Sequence, residues 1–473
     1  MIGKMASERL ERLKFVLTDW LSANIGFMLI NVVRYFDVSP SAPTLEDASG
    51  FFLQPKIYFE QAFVPCAMIA IYWLSGFYNN PFGKSRFNEL MNTAIISALN
   101  TILIHLAFLT NDQMSDIASN ILQIFLIFMI LFSFTFCGRL LVINNQIRHF
   151  KRRDWKYTAV IVGNSAKAHA LARRIMDSKA VIGNSIEAFF RIPGEEDAGS
   201  DALNLDDLPD YCRENNIDQI ILAPQISNED LILNLVYRLF PLCKPIKLSP
   251  DTINFMTASI KLKDIYGYPL VDLTHSSMSE CEKNIKRSFD VIASALTLLL
   301  LSPLFLALAI RVKLDSKGPV FYRQERIGHK ERPFQIIKFR TMRTDAEADG
   351  PQLSSDDDPR VTKSGKIMRK YRLDELPQFY NVLKGEMSIV GPRPERRFFI
   401  NKIIERAPFY TLLYQTRPGI TSWGMVQYGY ASHVDEMIDR SKYDLIYISN
   451  MSILVDLKIM LYTVLTILEG RGK

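Results

Sequence analysis

The chain has 473 residues and a mass of 54.2 kDa, more than one domain of roughly 100–200 residues holds. Lys plus Arg at 56 against Asp plus Glu at 50 leaves a net charge of +6, which excludes a histone-like polycation and an acidic disordered tail. With 48% hydrophobic and 22% charged residues general disorder is excluded, and the mean hydropathy of +0.05 is what a membrane anchor averaged with a soluble portion gives.

In chain order, four apolar runs come first, at 15–35, 57–78, 90–109 and 117–143, each long enough for the about 20 helical residues that cross a bilayer. The stretch before them is polar and no small-residue cleavage site follows the first run, so no cleavable signal peptide is expected. Lys4, Arg9, Arg12 and Lys14 precede the first run, Lys84 and Arg86 separate the second from the third, and Arg148, Lys151, Arg152, Arg153 and Lys156 follow the fourth. The two other loops carry Asp37, Glu46 and Asp47, or Asp112 and Asp116. Lysine and arginine collect on the cytoplasmic side, so both ends of this bundle are expected there. Asn100 and His105 inside the runs read either as substrate-pathway groups or, preferably, as helix-to-helix hydrogen bonds. The five cysteines, Cys66, Cys137, Cys212, Cys243 and Cys281, show neither metal-ligand spacing nor a disulfide framework.

From Tyr157 strands and helices alternate. Strands are predicted at 158–163, 186–192, 219–224 and 245–248, with helices at 166–176, 207–215 and 228–239, an order that implies a parallel sheet. The first turn, Gly163-Asn-Ser-Ala-Lys-Ala168, matches the dinucleotide fingerprint only at its first glycine, and no acidic residue ends the second strand. A Rossmann-like regulatory or dimerising domain is therefore preferred to a cofactor-binding one.

A fifth apolar run, 291–310, has Lys286 and Arg287 before it and Arg311 and Lys313 after it, so both ends favour the cytoplasmic side. Ser302-Pro303 lies at its centre, where proline removes a helical hydrogen bond and clashes with the preceding turn. The expectation is a re-entrant helix over 288–312 that breaks at Ser302 and Pro303; a kinked true span is the alternative. From 315 to 397 there are 18 Lys and Arg against 13 Asp and Glu, nearly the whole net charge. Beside a membrane such a patch suits phosphorylated substrates or anionic headgroups. It lacks the aromatic interleaving of a nucleic-acid surface, and no nucleic acid partner is expected.

Within that patch, YRLDELPQFYNVLKGE sets Leu376 before Pro377, which biases it away from the helical region, so a helix through 368–371 is expected to end and another to begin near Asp374. Asp374 and Glu375 would then stand at a helix N-terminus, read either as a cap or, with Lys338, Arg340, Arg369, Lys370, Arg372 and Arg393 in the same segment, as a phosphoryl acceptor or magnesium ligand kept ionised by the helix dipole. Gly391-Pro-Arg393-Pro394 presents its arginine on a stiffened loop, either to grip a diphosphate or as a solvated turn. Asp356-Asp357-Asp358 reads either as a metal cluster or, preferably, as a solvated, Ser-rich loop before Pro359. The segment 453–468, apolar but for Asp456 and Lys458, fits an interfacial helix or a packed core helix equally.

QERIG at 324–328, KFRTM at 338–342, RLDELPQ at 372–378, VLKGEMSIVGPRP at 382–394 and RPGITSWGMVQ at 417–427 together resemble the bacterial sugar transferase family, the polyprenyl-phosphate hexose-1-phosphate transferases or monotopic phosphoglycosyl transferases that begin glycan assembly. The upstream layout resembles the long subgroup that includes undecaprenyl-phosphate glucose and galactose phosphotransferases. The resemblance implies a magnesium-dependent ping-pong reaction with Asp374 as nucleophile on a UDP-sugar, release of UMP, and undecaprenyl phosphate as acceptor. It implies Glu375 as dyad partner, Lys338, Arg369 and Arg393 as phosphate contacts, Asp374 as the metal ligand, and Ser302-Pro303 as the break of the re-entrant helix. It further implies a homodimer and a multi-pass location in the bacterial inner membrane, with the soluble parts cytoplasmic and the product entering exopolysaccharide, capsule or O-antigen. The expected fold class is a multidomain membrane protein: a four-helix transmembrane bundle over 1–148, a Rossmann-like α/β domain over 149–275, and a mainly α-helical catalytic domain over 276–473. A non-catalytic membrane scaffold or nucleotide-sugar sensor is the alternative function.

Overall fold

A computed structural model describes residues 2–38, 45–82, 84–109, 117–151, 157–177, 184–195, 201–225, 229–249, 270–273, 277–346, 350, 352, 358–429, 431 and 433–469. Two compact units emerge, one of residues 1–158 with 174–185 and 264–268, the other of 159–173, 186–263 and 269–473. The loop charges at Asp112, Asp116, Arg152, Arg153 and Lys156 lie outside the described residues, as do Asp356 and Asp357.

The first unit holds α1 (Ile2–Val38), α2 (Leu45–Phe52), α3 (Pro55–Leu74), α4 (Arg86–Ile104) and α5 (Ile117–Lys151). All but α2 are long and apolar enough to cross a membrane. Each covers one of the four predicted runs, although α3 closes at Leu74 with Ser75 as its C-cap, α4 passes into a π-helical turn over His105–Leu109, and α5 runs on past residue 143. Phe15, Phe27, Val64, Met68, Ile127 and Leu131 fill the interior, while Leu17, Leu21, Met28, Phe59 and Phe125 stay exposed, an apolar outside that suits lipid.

The interior also carries charge. Arg139 is wholly buried; its Nε and Nη2 donate to the two oxygens of Asp19 at 2.9 and 2.8 Å, and its Nη1 donates to Glu89 and to the Thr93 hydroxyl, both at 2.9 Å. The Tyr78 hydroxyl donates to Asp19 at 2.8 Å, and the guanidinium lies 3.6 Å from the Phe77 ring centre. Arg34 and Glu60 form a second buried pair at 3.0 Å. Asn100 is buried, but its Nδ2 meets no hydrogen-bond partner among the described residues, so the bond expected of it is not made by that atom. Interhelical polar bonding is made by Arg139 and by the Arg34–Glu60 pair.

The α/β part follows as β1 (Tyr157–Val162), α6 (Ala166–Asp177), β2 (Asn184–Arg191), β3 (Leu203–Asn204), α7 (Leu208–Glu214), β4 (Gln219–Leu222), α8 (Glu229–Leu239), β5 (Ile246–Leu248) and β6 (Val271–Asp272). The sheet order is β3-β2-β1-β4-β5-β6, with β1–β4, β2–β3 and β4–β5 paired in parallel and β6 antiparallel to β5. The predicted strand and helix order is present; β3 and β6, two residues each, carry too little pattern to be foreseen. Val160, Val162, Phe190, Leu208, Ile220 and Leu222 form the core. Gly163 closes β1 at a φ of +132°, and any side chain there would overlap the Ala223 carbonyl, so this glycine is required by the packing of two strand ends, whatever the fingerprint.

The rest of the chain is mostly helical. Ser279 and Glu282 form a capping box that starts α9 (Glu280–Leu300), which breaks at Leu301 before α10 (Ser302–Asp315) at an angle of 63°. Proline at 303 has no N–H to give the Leu299 carbonyl, and the Ser302 hydroxyl donates to that oxygen at 2.8 Å instead. The antiparallel hairpin β7 (Phe321–Ile327) and β8 (Pro333–Phe339) follows, then α11 (Lys363–Lys370), α12 (Gln378–Lys384), β9 (Ser388–Val390), α13 (Arg397–Arg406), β10 (Gly419–Thr421), α14 (Trp423–Gln427), α15 (Val434–Ser449) and α16 (Ile453–Leu468). β9 and β10 pair in parallel beneath a core of Val390, Phe399, Ile403, Met437 and Tyr447. α16 combines its two expected characters: Asp456 and Ile459 are buried, whereas Leu454, Leu461, Leu465 and Leu468 are exposed.

Candidate active site

Asp374 and Glu375 sit in a short 3₁₀ turn between two α-helices, not in the first turn of an α-helix. Thr362 caps α11, which ends at Lys370; Arg372 then takes a left-handed conformation at φ 53°, ψ 25°, and Leu373–Glu375 make a single 3₁₀ turn. Leu376 is right-handed helical at φ −53°, ψ −37° despite the proline after it, and α12 begins only at Gln378. Packing of Leu373 against Phe339 and Met368, with α10 beneath them, overrides the local bias of the pre-proline residue. The helix start expected near Asp374 is thus a three-residue 3₁₀ turn and not the first turn of an α-helix, and a backbone hydrogen bond favours the ionised Asp374 carboxyl against burial.

Three elements converge on this turn. β8 brings Lys338, whose Nζ donates to Glu375 Oε1 at 2.9 Å. The loop after β9 brings Arg393, whose Nη2 reaches the same oxygen at 3.5 Å, and Arg372 lies 3.7 Å from Oε2. Arg369, on the last turn of α11, donates from Nε to the Thr341 hydroxyl at 3.0 Å and adds its charge to the field at Asp374. The predicted residues Lys338, Arg369, Asp374, Glu375 and Arg393 are thus brought together. Ser302 and Pro303 are not among them; they form the bend, and α10 beyond it packs Phe305 and Leu308 against Phe339 and Leu373, the neighbours of Lys338 and Asp374.

The two carboxylates have opposite fates. Burial pushes the Asp374 carboxyl up to about 6, with Lys338 opposing and the Glu375 charge adding to the rise. Burial alone would raise Glu375 too, but Lys338, Arg393 and Arg372 outweigh it and hold that carboxyl far below its usual range. Among the described residues Asp374 forms no ion pair within 4.0 Å, so its oxygens remain available while Glu375 is pinned as an anion. Such environments, which drive paired carboxyls apart, separate a reacting group from an electrostatic partner. Burial lowers Lys338 by more than Glu375 restores.

Several expectations fail here for physical reasons. Arg340 is no part of the site; its Nη1 and Nη2 donate to the Lys317 and Ser316 carbonyls at 2.6 and 2.7 Å and fasten the loop after α10. Lys370 is exposed. Asp358 is not solvated but buried, with both oxygens accepting from Arg360 at 2.8 and 2.6 Å. Residues not singled out by sequence reasoning include Thr341, which orients Arg369, and Met425, whose sulfur lies 3.0 Å from Arg393 Nη1 and 3.9 Å from Arg372 Nη1. Both lie inside quoted motifs, so motif membership was their only signal.

Among the described residues no group of three or more His, Cys, Asp or Glu is placed to hold a metal. Magnesium, however, binds through one or two carboxylates with substrate phosphates completing its shell. The unpaired Asp374 carboxylate fits that mode, and Glu375, occupied by three cations, does not.

Residues 281–470 match the family model described as bacterial sugar transferase, and residues 74–250 match one described as a CoA-binding domain. The chain is 46% identical over 217 residues to the UDP-N-acetylgalactosamine-undecaprenyl-phosphate N-acetylgalactosaminephosphotransferase of Aeromonas hydrophila, covering 46% of this chain and 51% of that protein. It is 37% identical over 265 residues to the UDP-glucose:undecaprenyl-phosphate glucose-1-phosphate transferase of Klebsiella pneumoniae, covering 56% and 57%. It is 39% identical over 196 residues to the exopolysaccharide production protein PSS of Rhizobium leguminosarum bv. phaseoli, covering 40% of this chain and 97% of that one. The chain thus spans little more than half the length of the first two relatives.

Proposed function

This chain belongs to the bacterial sugar transferase family, and from that premise we propose that it transfers hexose-1-phosphate from a UDP-sugar to undecaprenyl phosphate. The observation that carries the reading is the pairing of an unpaired, buried Asp374 carboxylate with Glu375 pinned by Lys338, Arg393 and Arg372. An oxygen of Asp374 attacks the β-phosphorus of the donor, the bond from that phosphorus to the bridging oxygen breaks, and UMP departs with that oxygen. A phosphate oxygen of undecaprenyl phosphate then attacks the same phosphorus, and the Asp374 carboxylate is released. Lys338, Arg369 and Arg393 offset the phosphate charge, since phosphoryl transfer depends mainly on positioning and electrostatics. Magnesium held by Asp374 would neutralise further charge on the diphosphate.

The bent pair α9–α10 is part of the proposal as a re-entrant helix. Its 63° turn and its basic flanks, Lys286 and Arg287 before and Arg311 and Lys313 after, favour entry and exit on the cytoplasmic face of the inner membrane. With residues 276–473 as the catalytic part, the site would take a soluble nucleotide sugar from one side and a lipid phosphate from the other. α1, α3, α4 and α5 would span as a four-helix bundle. Glucose or galactose is joined as a donor sugar by N-acetylgalactosamine, the sugar named for the Aeromonas relative. A homodimer joined through the sheet domain completes the proposal, and mass photometry of the solubilised chain tests it.

The test is UMP release from purified protein with magnesium and undecaprenyl phosphate across UDP-glucose, UDP-galactose and UDP-N-acetylgalactosamine. One donor is expected to work and Asp374→Asn to be silent. Near-normal turnover by that variant would remove Asp374 as nucleophile, and silence with every donor would remove the transferase reading.

A further inference from the structure

Arg393 reaches the candidate site from a loop without regular structure, yet something must hold its guanidinium in place. α15 does so from outside the site. Arg440 and Asp444 stand one turn apart on its buried face. Arg440 donates to Glu395 at 2.6 Å, and Arg326 donates to the other oxygen of Glu395 at 2.9 Å and to the Pro394 carbonyl at 3.1 Å, which fixes the end of the loop. Asp444, only 2% exposed, accepts the Gly424 N–H on Oδ1 at 2.8 Å and the Arg393 N–H on Oδ2 at 3.5 Å. One carboxylate thereby ties the backbone of Arg393 to α14, the helix that carries Met425, and the Met425 sulfur is what the Arg393 guanidinium leans on. A second observation is independent of these bonds. A Cβ on Gly424 would lie 2.7 Å from the Arg440 carbonyl oxygen and 3.0 Å from Asp444 Oδ1, so glycine at 424 permits α14 to be pressed onto α15 here.

We propose that Asp444 is a positioning residue for the diphosphate site, acting through Arg393 by fixing the spacing between the 391–396 loop and α14. The inference rests on the proposed UDP-sugar chemistry and deepens it: Asp444 touches no substrate, and its effect is felt as affinity for a nucleoside diphosphate. Asp444→Asn keeps an acceptor for Gly424 but turns a donor toward the Arg393 N–H. Asp444→Glu keeps the charge and moves the carboxylate by one methylene.

The experiment is calorimetric titration of UDP into the full-length protein in detergent, for the wild type, Asp444→Asn, Asp444→Glu, Arg393→Ala and the Asp444→Asn/Arg393→Ala double variant. Asp444→Asn is expected to weaken UDP binding roughly tenfold, the size of one lost polar contact. Asp444→Glu is expected to weaken it as well, because position and not charge is what matters. In the Arg393→Ala background the Asp444→Asn change is expected to add nothing, since a residue that acts only through Arg393 has no further effect once that side chain is gone. Effects that multiply in the double variant, unchanged affinity in Asp444→Glu, or a reduced number of binding sites at unchanged affinity would each overturn the positioning role. If Asp444→Asn does not fold, the Asp444→Glu titration alone decides between these outcomes. Wild-type protein that binds UDP but releases no UMP removes the transferase reading and leaves this inference standing; wild-type protein that releases UMP but binds no UDP overturns this inference and leaves the transferase reading standing.

Discussion

The molecule buries carboxylates against guanidinium groups in two places, to opposite ends. In the helical unit Arg139, 0% exposed, spends all three of its nitrogens on Asp19, Glu89 and Thr93, so the cluster is closed and ties α1, α4 and α5 together. Around Asp374 and Glu375 stand Lys338, Arg369, Arg372 and Arg393, four cations against two carboxylates, and the side chains of Lys338 and Arg393 keep 18% and 16% exposure. The first arrangement, with Lys84 at 4.0 Å from Glu89 as its second cation, balances charge and excludes anything further; the second leaves positive charge and open surface for an anion. The same side-chain chemistry thus makes a fastener when it is balanced and sealed, and a phosphate site when it is neither.

The comparison is broken most sharply at Arg139. Arg139→Met leaves Asp19 buried without its cation and Glu89 with only Lys84, 4.0 Å away, and is expected to lower unfolding stability by about 3–5 kcal/mol, read by denaturant titration of the solubilised protein. A loss under about 1 kcal/mol would mean that the cluster is hydrated and does not fasten the helices. At the other cluster, Lys338→Met is expected to weaken UDP binding by about 1.5–3 kcal/mol while the unfolding midpoint barely moves, because Arg393 and Arg372 still hold Glu375. A large fall in the midpoint with unchanged affinity would reverse the two roles. The pH profile sharpens the contrast within the site. Asp374 is raised to about 6, so its ionised form is present above that value, and UMP release is expected to fall roughly tenfold per pH unit below it. A profile flat down to pH 4 would leave no place for Asp374 as the titrating nucleophile. The smallest effect expected is at the start of α9, where Ser279→Ala removes a capping bond worth about 1 kcal/mol, seen as faster amide exchange over the first turn.

Much of this was legible in the sequence because the signals were local. The apolar runs gave α1, α3, α4 and α5; alternation gave β1, β2, β4 and β5; Ser302-Pro303 gave the bend, whose hydroxyl-to-carbonyl bond follows from a missing proline N–H. Asp374, Glu375, Lys338, Arg369 and Arg393 announced themselves by charge density and by motif. Arg139 was a lone cation inside an apolar run, a sign that it must be paired, but its partner Asp19 lies 120 residues away and no spacing rule links them. Asp444 was hidden for the same reason, 51 residues from Arg393 and inside an ordinary amphipathic helix. Asp374 was misplaced by a local rule, because Leu376 adopts the helical conformation that its proline disfavours once Leu373 is packed into the core. Asp358 was a local miss: its partner Arg360 is two residues on, a pairing that the proximity of three aspartates obscured.

The chain is fastened at the point where it leads into α9. The Ser277 hydroxyl lies 3.2 Å from both the Ile448 and Met451 carbonyls, Met278 is wholly enclosed beside Ile403 and Tyr447, and Ser279 closes the capping box one residue later. Three consecutive residues therefore act as a built-in anchor, so a break in the chain upstream of residue 277 would leave the seating of α9 against the end of α15 intact.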